Sequence, residues 1–173
     1  MKKASTKFRW IMWAVLIGGG IVLSLLTDFY LRKSGFHVSF GIIGRAIGLI
    51  LIVLSMIISR NTGKTLAKYG RKGNIPKLET NVLVRNGVYS CMRHPMHFGL
   101  MLMPFGIAFL MNSFSYVCIY APLTTIVILI MIKTIEEKEA LAKFGSSYEK
   151  YMREVPAFNF SPQCIKKLFR CCK

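Results

Sequence analysis

Four apolar stretches limit what this chain can become: residues 8–27, 40–59, 95–111 and 114–132. A helix needs about 20 predominantly apolar residues to cross a bilayer. Inside lipid every backbone group must bond within the protein, which leaves helices for runs of this length. The expected fold is therefore all-α: a polytopic membrane protein with a four-span helical core. Residues 1–158 would form the membrane domain, including a basic loop at 60–93. Residues 159–173 would form a basic tail, either a C-terminal interfacial helix or a solvated segment. The opening Lys2-Lys3 and the apolar run behind it imitate a secretion signal, but no small-residue cleavage pattern follows, so the run reads as a retained first span.

Charge supplies the orientation. The chain carries 24 Lys and Arg against 7 Asp and Glu, a net charge of +17. On a soluble domain such an excess would suggest nucleic acid. Here the bases flank apolar runs, which points to anionic lipid and to topology, with no nucleic-acid partner. The amino terminus, the 60–93 loop and the tail are all basic, so both termini are expected in the cytosol.

Smaller features fill in the spans. Gly18-Gly19-Gly20 allows a close helix approach or simply a flexible helix, and Gly41, Gly44 and Gly48 recur at helical spacing as a small-residue face. Arg45 sits one turn inside its span, where an arginine can snorkel to the headgroups. Residues 28–39 read as a short external connection, with His37 at its surface. Pro104 and Pro122 distort the third and fourth spans, and Asn112-Ser113 is a tight turn between them. Gly70, Gly73 and Pro76 break the 60–93 region, and Val82-Leu83-Val84 lies against the membrane surface. Gly63-Lys64-Thr65 is no phosphate loop, because Ile58 stands where the upstream glycine is required. The five cysteines, Cys91, Cys118, Cys164, Cys171 and Cys172, read as free thiols. The last two are candidates for lipidation. In the tail, Phe160, Ile165, Leu168 and Phe169 interleave with bases as in a membrane-surface helix.

Between the second and third spans lies a compact polar segment, Gly87-Val88-Tyr89-Ser90-Cys91-Met92-Arg93-His94-Pro95-Met96-His97-Phe98-Gly99. Pro95 suits the first turn of a helix. Cys91, His94 and His97 are spaced three apart, as ligands on one helix face would be. Pro95 interrupts that face, and no metal is expected. Arg93 and His94 at a helix start favour anions. Glu136 and Glu137 lie where the last span leaves the membrane, on the same side. The two charged groups either grip a zwitterionic small molecule or bridge each other at the interface. Tyr89, Phe98, Phe144, Tyr148 and Tyr151 could cover an apolar portion of a ligand.

Gly87-Val88-Tyr89 followed by Arg93-His94-Pro95-Met96-His97-Phe98-Gly99 resembles the signature of integral-membrane methyltransferases related to isoprenylcysteine carboxyl methyltransferase and phospholipid N-methyltransferase. Glu136-Glu137, Leu141, Phe144-Gly145, Tyr148, Tyr151 and Val155-Pro156 are similar to the second half of that signature. The resemblance covers residues 60–158. It implies a cytosol-facing pocket for S-adenosyl-L-methionine, lined by Tyr89, Arg93, His94, Glu136, Glu137 and Tyr148. It also implies membrane lipids as surroundings and a lipidic or prenylated acceptor. The family pattern commonly has tyrosine where this chain has His97, so His97 is the candidate for a catalytic role that departs from the pattern. Sterol-type membrane reductases, which use a reduced nicotinamide cofactor, share a related carboxyl-terminal architecture, but this chain is short for them. A non-catalytic scaffold is the other alternative.

Overall fold

A computed structural model describes residues 6–76 and 79–170, with side chains from residue 11 onward. Lys2-Lys3, Lys77 and the lipidation candidates Cys171 and Cys172 lie outside the described residues. Among those residues every regular element is helical. The α-helices are α1 (Thr6–Lys33), α2 (Gly41–Tyr69), α3 (Pro95–Leu110), α4 (Ala121–Met131), α5 (Glu137–Phe144), α6 (Ser146–Glu154) and α7 (Pro162–Phe169). A single 3-10 turn, Gly87–Ser90, precedes α3, and π-helical turns occupy Tyr116–Tyr120 and Ile132–Glu136.

Among the described residues, three stretches are long and apolar enough to cross a membrane: Ile11–Lys33, Gly41–Tyr69 and Tyr116–Phe144. The third expected span falls short. The helix α3 has 16 residues, roughly 24 Å at the α-helical rise of about 1.5 Å, against about 30 Å of hydrocarbon. The first two helices also run beyond their apolar stretches. Residues 28–33 remain helical, so the connection after α1 shrinks to residues 34–40. The second helix continues ten residues past 59 and stops at Tyr69, before Gly70.

The chain divides into two units. The first comprises Met1–Leu54 and Met101–Glu136. Its centre is Tyr116, fully buried with Ala108 and Ala121. A Cβ at Gly20 would lie 3.3 Å from the Tyr116 ring, so Gly20 is the member of the glycine triplet that meets a neighbour. Gly18 and Gly19 face open space. Polar groups of α1 find partners within this unit: the Ser115 amide donates to Asp28 Oδ1 at 3.0 Å, and the Ser115 hydroxyl to the Ser24 carbonyl at 3.0 Å. Gly48 and Gly106 bring α2 and α3 together backbone to backbone. A Cβ at Gly48 would stand 2.7 Å from the Gly106 oxygen and the Leu110 nitrogen. Gly44 shares this packed face, whereas Gly41 has open space around it and a left-handed φ of 60°. Arg45 is exposed. Asn112 turns the chain after α3 with φ 54°, and its Oδ1 accepts the Phe40 amide at 2.7 Å. Pro122 has no N–H for the preceding turn, and that turn is π-helical. The expected distortion takes this form.

The second unit comprises Ser55–Leu100 and Glu137–Lys173. Tyr148, Tyr151 and Val155 form its core, with Leu83, Phe144 and Met152 against them. Val84 is buried as well, while Val82 and Leu83 are half-buried, so the apolar patch at 82–84 packs partly into protein. Gly145, with φ 54°, separates α5 from α6, and its amide closes the earlier helix on the Leu141 carbonyl. A disulfide joins Cys91 to Cys164. This corrects the reading of all cysteines as free thiols: their spacing of 73 residues matches no motif, and only folding brings them together. Cys118 is free and exposed.

Candidate functional site

The polar segment folds as its residues dictate. Pro95 opens α3, and the Phe98 amide bonds back to the His94 carbonyl at 3.0 Å. His94 is therefore the cap of the helix, with its side chain free for another partner. The main chain of this corner is tied down by the stretch after α6: the Arg93 amide donates to the Pro156 carbonyl at 3.0 Å and the His94 amide to the Ala157 carbonyl at 3.2 Å.

Three of the expected site residues converge. Arg93 Nη2 donates to Glu137 Oε1 at 2.6 Å, and His94 Nε2 lies 3.2 Å from the same oxygen. The side chains of Arg93, His94 and Glu137 are 10%, 9% and 15% exposed, so the ion pair is shielded from screening by water. Arg93 Nη1 also donates to the Met152 and Val155 carbonyls, at 2.9 and 2.7 Å. One guanidinium thus holds both the end of α6 and the carboxylate that begins α5. The π-helical turn Ile132–Glu136 comes directly before Glu137 and shifts its register relative to a regular helix. Such turns recur at functional sites.

Burial lowers the pKa of His94 below the ordinary histidine value; the bond to Glu137 opposes the shift without cancelling it. The imidazole is neutral near pH 7. A carboxylate only accepts, so the His94 proton sits on Nε2 and Nδ1 is left as an acceptor.

The remaining expected residues occupy different positions. The His97 ring stands edge-on to His94, with centroids 5.8 Å apart. The Tyr89 side chain is buried and its carbonyl accepts the Tyr151 hydroxyl at 2.6 Å. Burial pushes the phenols of Tyr89 and Tyr151 far above their usual range, so both stay protonated. Tyr148 is buried in the core beside Tyr151, ring centroids 5.9 Å apart. Glu136 ends the π-helical turn next to Glu137 and is partly exposed. Cys91, the sulfur of the metal-ligand spacing, is consumed by its disulfide to Cys164 and offers no thiolate.

Sequence reasoning missed several parts. Met152, Val155, Pro156 and Ala157 act through backbone carbonyls, which leave no mark in residue type. Phe158 lies 6.2 Å from His94, ring to ring, and Phe160 packs edge-on against Phe98 at 5.7 Å. Phe158 closes the expected membrane domain and Phe160 reads as a tail residue facing the membrane surface; aromatic spacing after Val155-Pro156 was the available signal.

The groups gathered here suit a small zwitterion carrying hydroxyls and a flat base, as S-adenosylmethionine does. Arg93 Nε is buried without a hydrogen-bond partner, a donor left unpaired. The bonds from Arg93 and His94 both fall on Oε1 of Glu137, and a carboxylate can accept further donors on its other oxygen. His94 Nδ1 adds an acceptor, and the rings of Phe158, Phe98 and Phe160 add apolar faces.

Comparison with known proteins is consistent with this arrangement. A family model described as phospholipid methyltransferase matches residues 43–147, more than half of the chain. The solved structure of a eukaryotic intramembrane Ras methyltransferase, isoprenylcysteine carboxyl methyltransferase, is similar in fold, with a TM-score of 0.57 and 22% identity. The match covers 86% of this chain and 52% of that one, so the chain spans about half the length of the structure it resembles. No curated protein matches the sequence.

Proposed function

Because the chain belongs to the phospholipid methyltransferase family, we propose that it transfers a methyl group from S-adenosylmethionine to a lipidic acceptor embedded in the membrane. One observation carries this reading: the Arg93-His94 segment and Glu137, 43 and 44 residues apart in sequence, meet in one shielded cluster. In this proposal Arg93, His94, Glu136 and Glu137 bind the cofactor, and Tyr89 and Tyr148 shape the wall behind them. The α3 helix completes a four-span core, the pocket opens to the cytosol with both termini on that side, and α7 lies in the headgroup layer.

The cofactor's sulfonium supplies the leaving-group chemistry. The protein's share is binding, orientation and exclusion of water. Arg93 Nε donates to an oxygen of the cofactor, and Glu137 accepts from its ammonium or hydroxyl groups. Orientation matters most, because in-line attack demands a fixed approach. A carboxylate acceptor arrives ionised and needs no base. An amine acceptor must lose a proton, and His97, one turn into α3, then takes it. A prenylated carboxylate and a phospholipid amine both satisfy a site fed from the lipid.

Two experiments test the proposal. Purified protein incubated with labelled S-adenosylmethionine and a membrane lipid extract should yield a labelled lipid; labelled reduced nicotinamide cofactor, run in parallel, should transfer nothing. Calorimetric titration with S-adenosylhomocysteine should show weaker binding to His94→Ala and Glu137→Ala. Unchanged affinity in both variants would remove the site assignment.

A further inference from the structure

A second polar site lies on the other side of the 3-10 turn. There a cleft of about 500 Å³ is lined by Thr65 and Tyr69 of α2, by Asn86 and Ser90 around the turn, and by Lys167 and Arg170 at the end of α7. That volume is in the range of small-molecule sites, about 300–1,000 Å³. The lining holds two cations, and among the described lining residues there is no carboxylate. Lys167 Nζ donates to Ser90 Oγ at 2.8 Å, while the Ser90 hydroxyl donates to the Gly87 carbonyl at 2.7 Å. An ammonium has three donors, so this contact positions Lys167 and leaves donors to spare.

The walls of the cleft are fixed before any ligand arrives. The Cys91–Cys164 disulfide bolts α7 to the segment following the 3-10 turn. Asn61 Nδ2 donates to the Leu168 carbonyl at 3.1 Å, tying α7 to α2. Leu168 and Cys164 are each 1% exposed, while Phe169 and Phe160 are exposed. The helix thus has one face sunk in protein, with Phe169 beside its bases facing outward. Preformed donors that need no ordering favour binding.

We propose that this cleft binds a phosphate-bearing anion, apart from the cluster at Arg93, His94 and Glu137. The chemistry is two cations, one of them held by Ser90, with hydroxyl and amide donors lining a cleft, which suits phosphate oxygens. A lipid headgroup and a free phosphate share that chemistry. The site does not depend on the methyl-transfer reading and can be tested without the reaction.

Native mass spectrometry of the full chain, titrated with dihexanoyl phosphatidic acid, is the direct test. Lys167→Gln combined with Arg170→Gln should weaken binding at least about tenfold, since each base near an anionic surface contributes about 1 kcal/mol. Lys33→Gln, an exposed base of α1, should leave it unchanged. Competition by inorganic phosphate identifies the free anion as ligand, and its failure to compete identifies the lipid headgroup; both support the site. Should the double variant fail to fold, Ser90→Asp places a carboxylate on the cleft wall and should reproduce the loss at unchanged thermal stability. Retained affinity in Ser90→Asp or in a folded double variant, or equal binding of phosphatidylcholine, overturns the proposal.

Discussion

Arg93 and Glu137, 44 residues apart, meet at 2.6 Å with side chains only 10% and 15% exposed. The same guanidinium caps the carbonyls of Met152 and Val155. Charge alone cannot replace it, because lysine is a point donor and this site uses a planar fork with several acceptors. Arg93→Ala should lower unfolding stability by about 3 kcal/mol, the scale for removing one partner of a shielded ion pair. Arg93→Lys should recover less than half of that. Thermal unfolding in detergent checks both variants, and full recovery by lysine would reduce the role to simple charge.

His94 gives the fold a pH dependence of defined sign. Burial holds its pKa below the ordinary histidine value of 6.5, so the unfolded chain takes up the proton first as pH falls. Its contribution to stability is fully present above about pH 6.5 and is lost as pH drops through the folded-state value. Melting temperature should therefore decline below pH 6.5 more steeply in the natural protein than in His94→Gln. Parallel slopes in the two proteins would show that another group controls the acid limb.

The sequence made some of this site readable and hid the rest for physical reasons. Arg93, His94 and Glu137 stood out because charged residues at the ends of apolar runs are costly unless they have a task. The two halves could be paired because one precedes the third run and the other follows the fourth, which puts both on the same side. The acceptors that hold Arg93 are peptide carbonyls of residues 152 and 155, which any side chain would supply equally. Cys164 hid in a tail that reads as a surface helix. The shortness of α3 was legible: the run reads as 95–111, the helix occupies Pro95–Leu110, and only the judgement that such a length suffices to span was too generous. Gly48 was legible from spacing, because a close helix approach requires the missing side chain itself.

The disulfide between Cys91 and Cys164 closes a loop of 73 residues, and removing such a cross-link commonly costs about 2–4 kcal/mol. Cys164→Ser should lower the melting temperature and speed amide exchange across Pro162–Phe169. Exchange in α1 should not change. Peptide mapping without reductant should recover the two cysteine peptides joined. Separate peptides, both alkylated in the native protein, would contradict the bond.

Gly48 and Gly18 form an internal comparison for the helix contacts of the first unit. A Cβ at Gly48 would sit 2.7 Å from the Gly106 oxygen and the Leu110 nitrogen, both backbone atoms that no side-chain rotation can move aside. Overpacking of this kind costs about 1–3 kcal/mol. Gly48→Ala should therefore destabilise the protein by that amount, and Gly48→Leu should destabilise it further. A Cβ at Gly18 meets nothing within 4 Å, and alanine is the better helix former by up to about 1 kcal/mol. Gly18→Ala should be neutral or stabilising. Unfolding curves in one detergent, measured on all three variants, separate the contact from a general intolerance of added methyl groups. Equal losses at Gly18 and Gly48 would mean that the close approach of α2 and α3 does not set the cost.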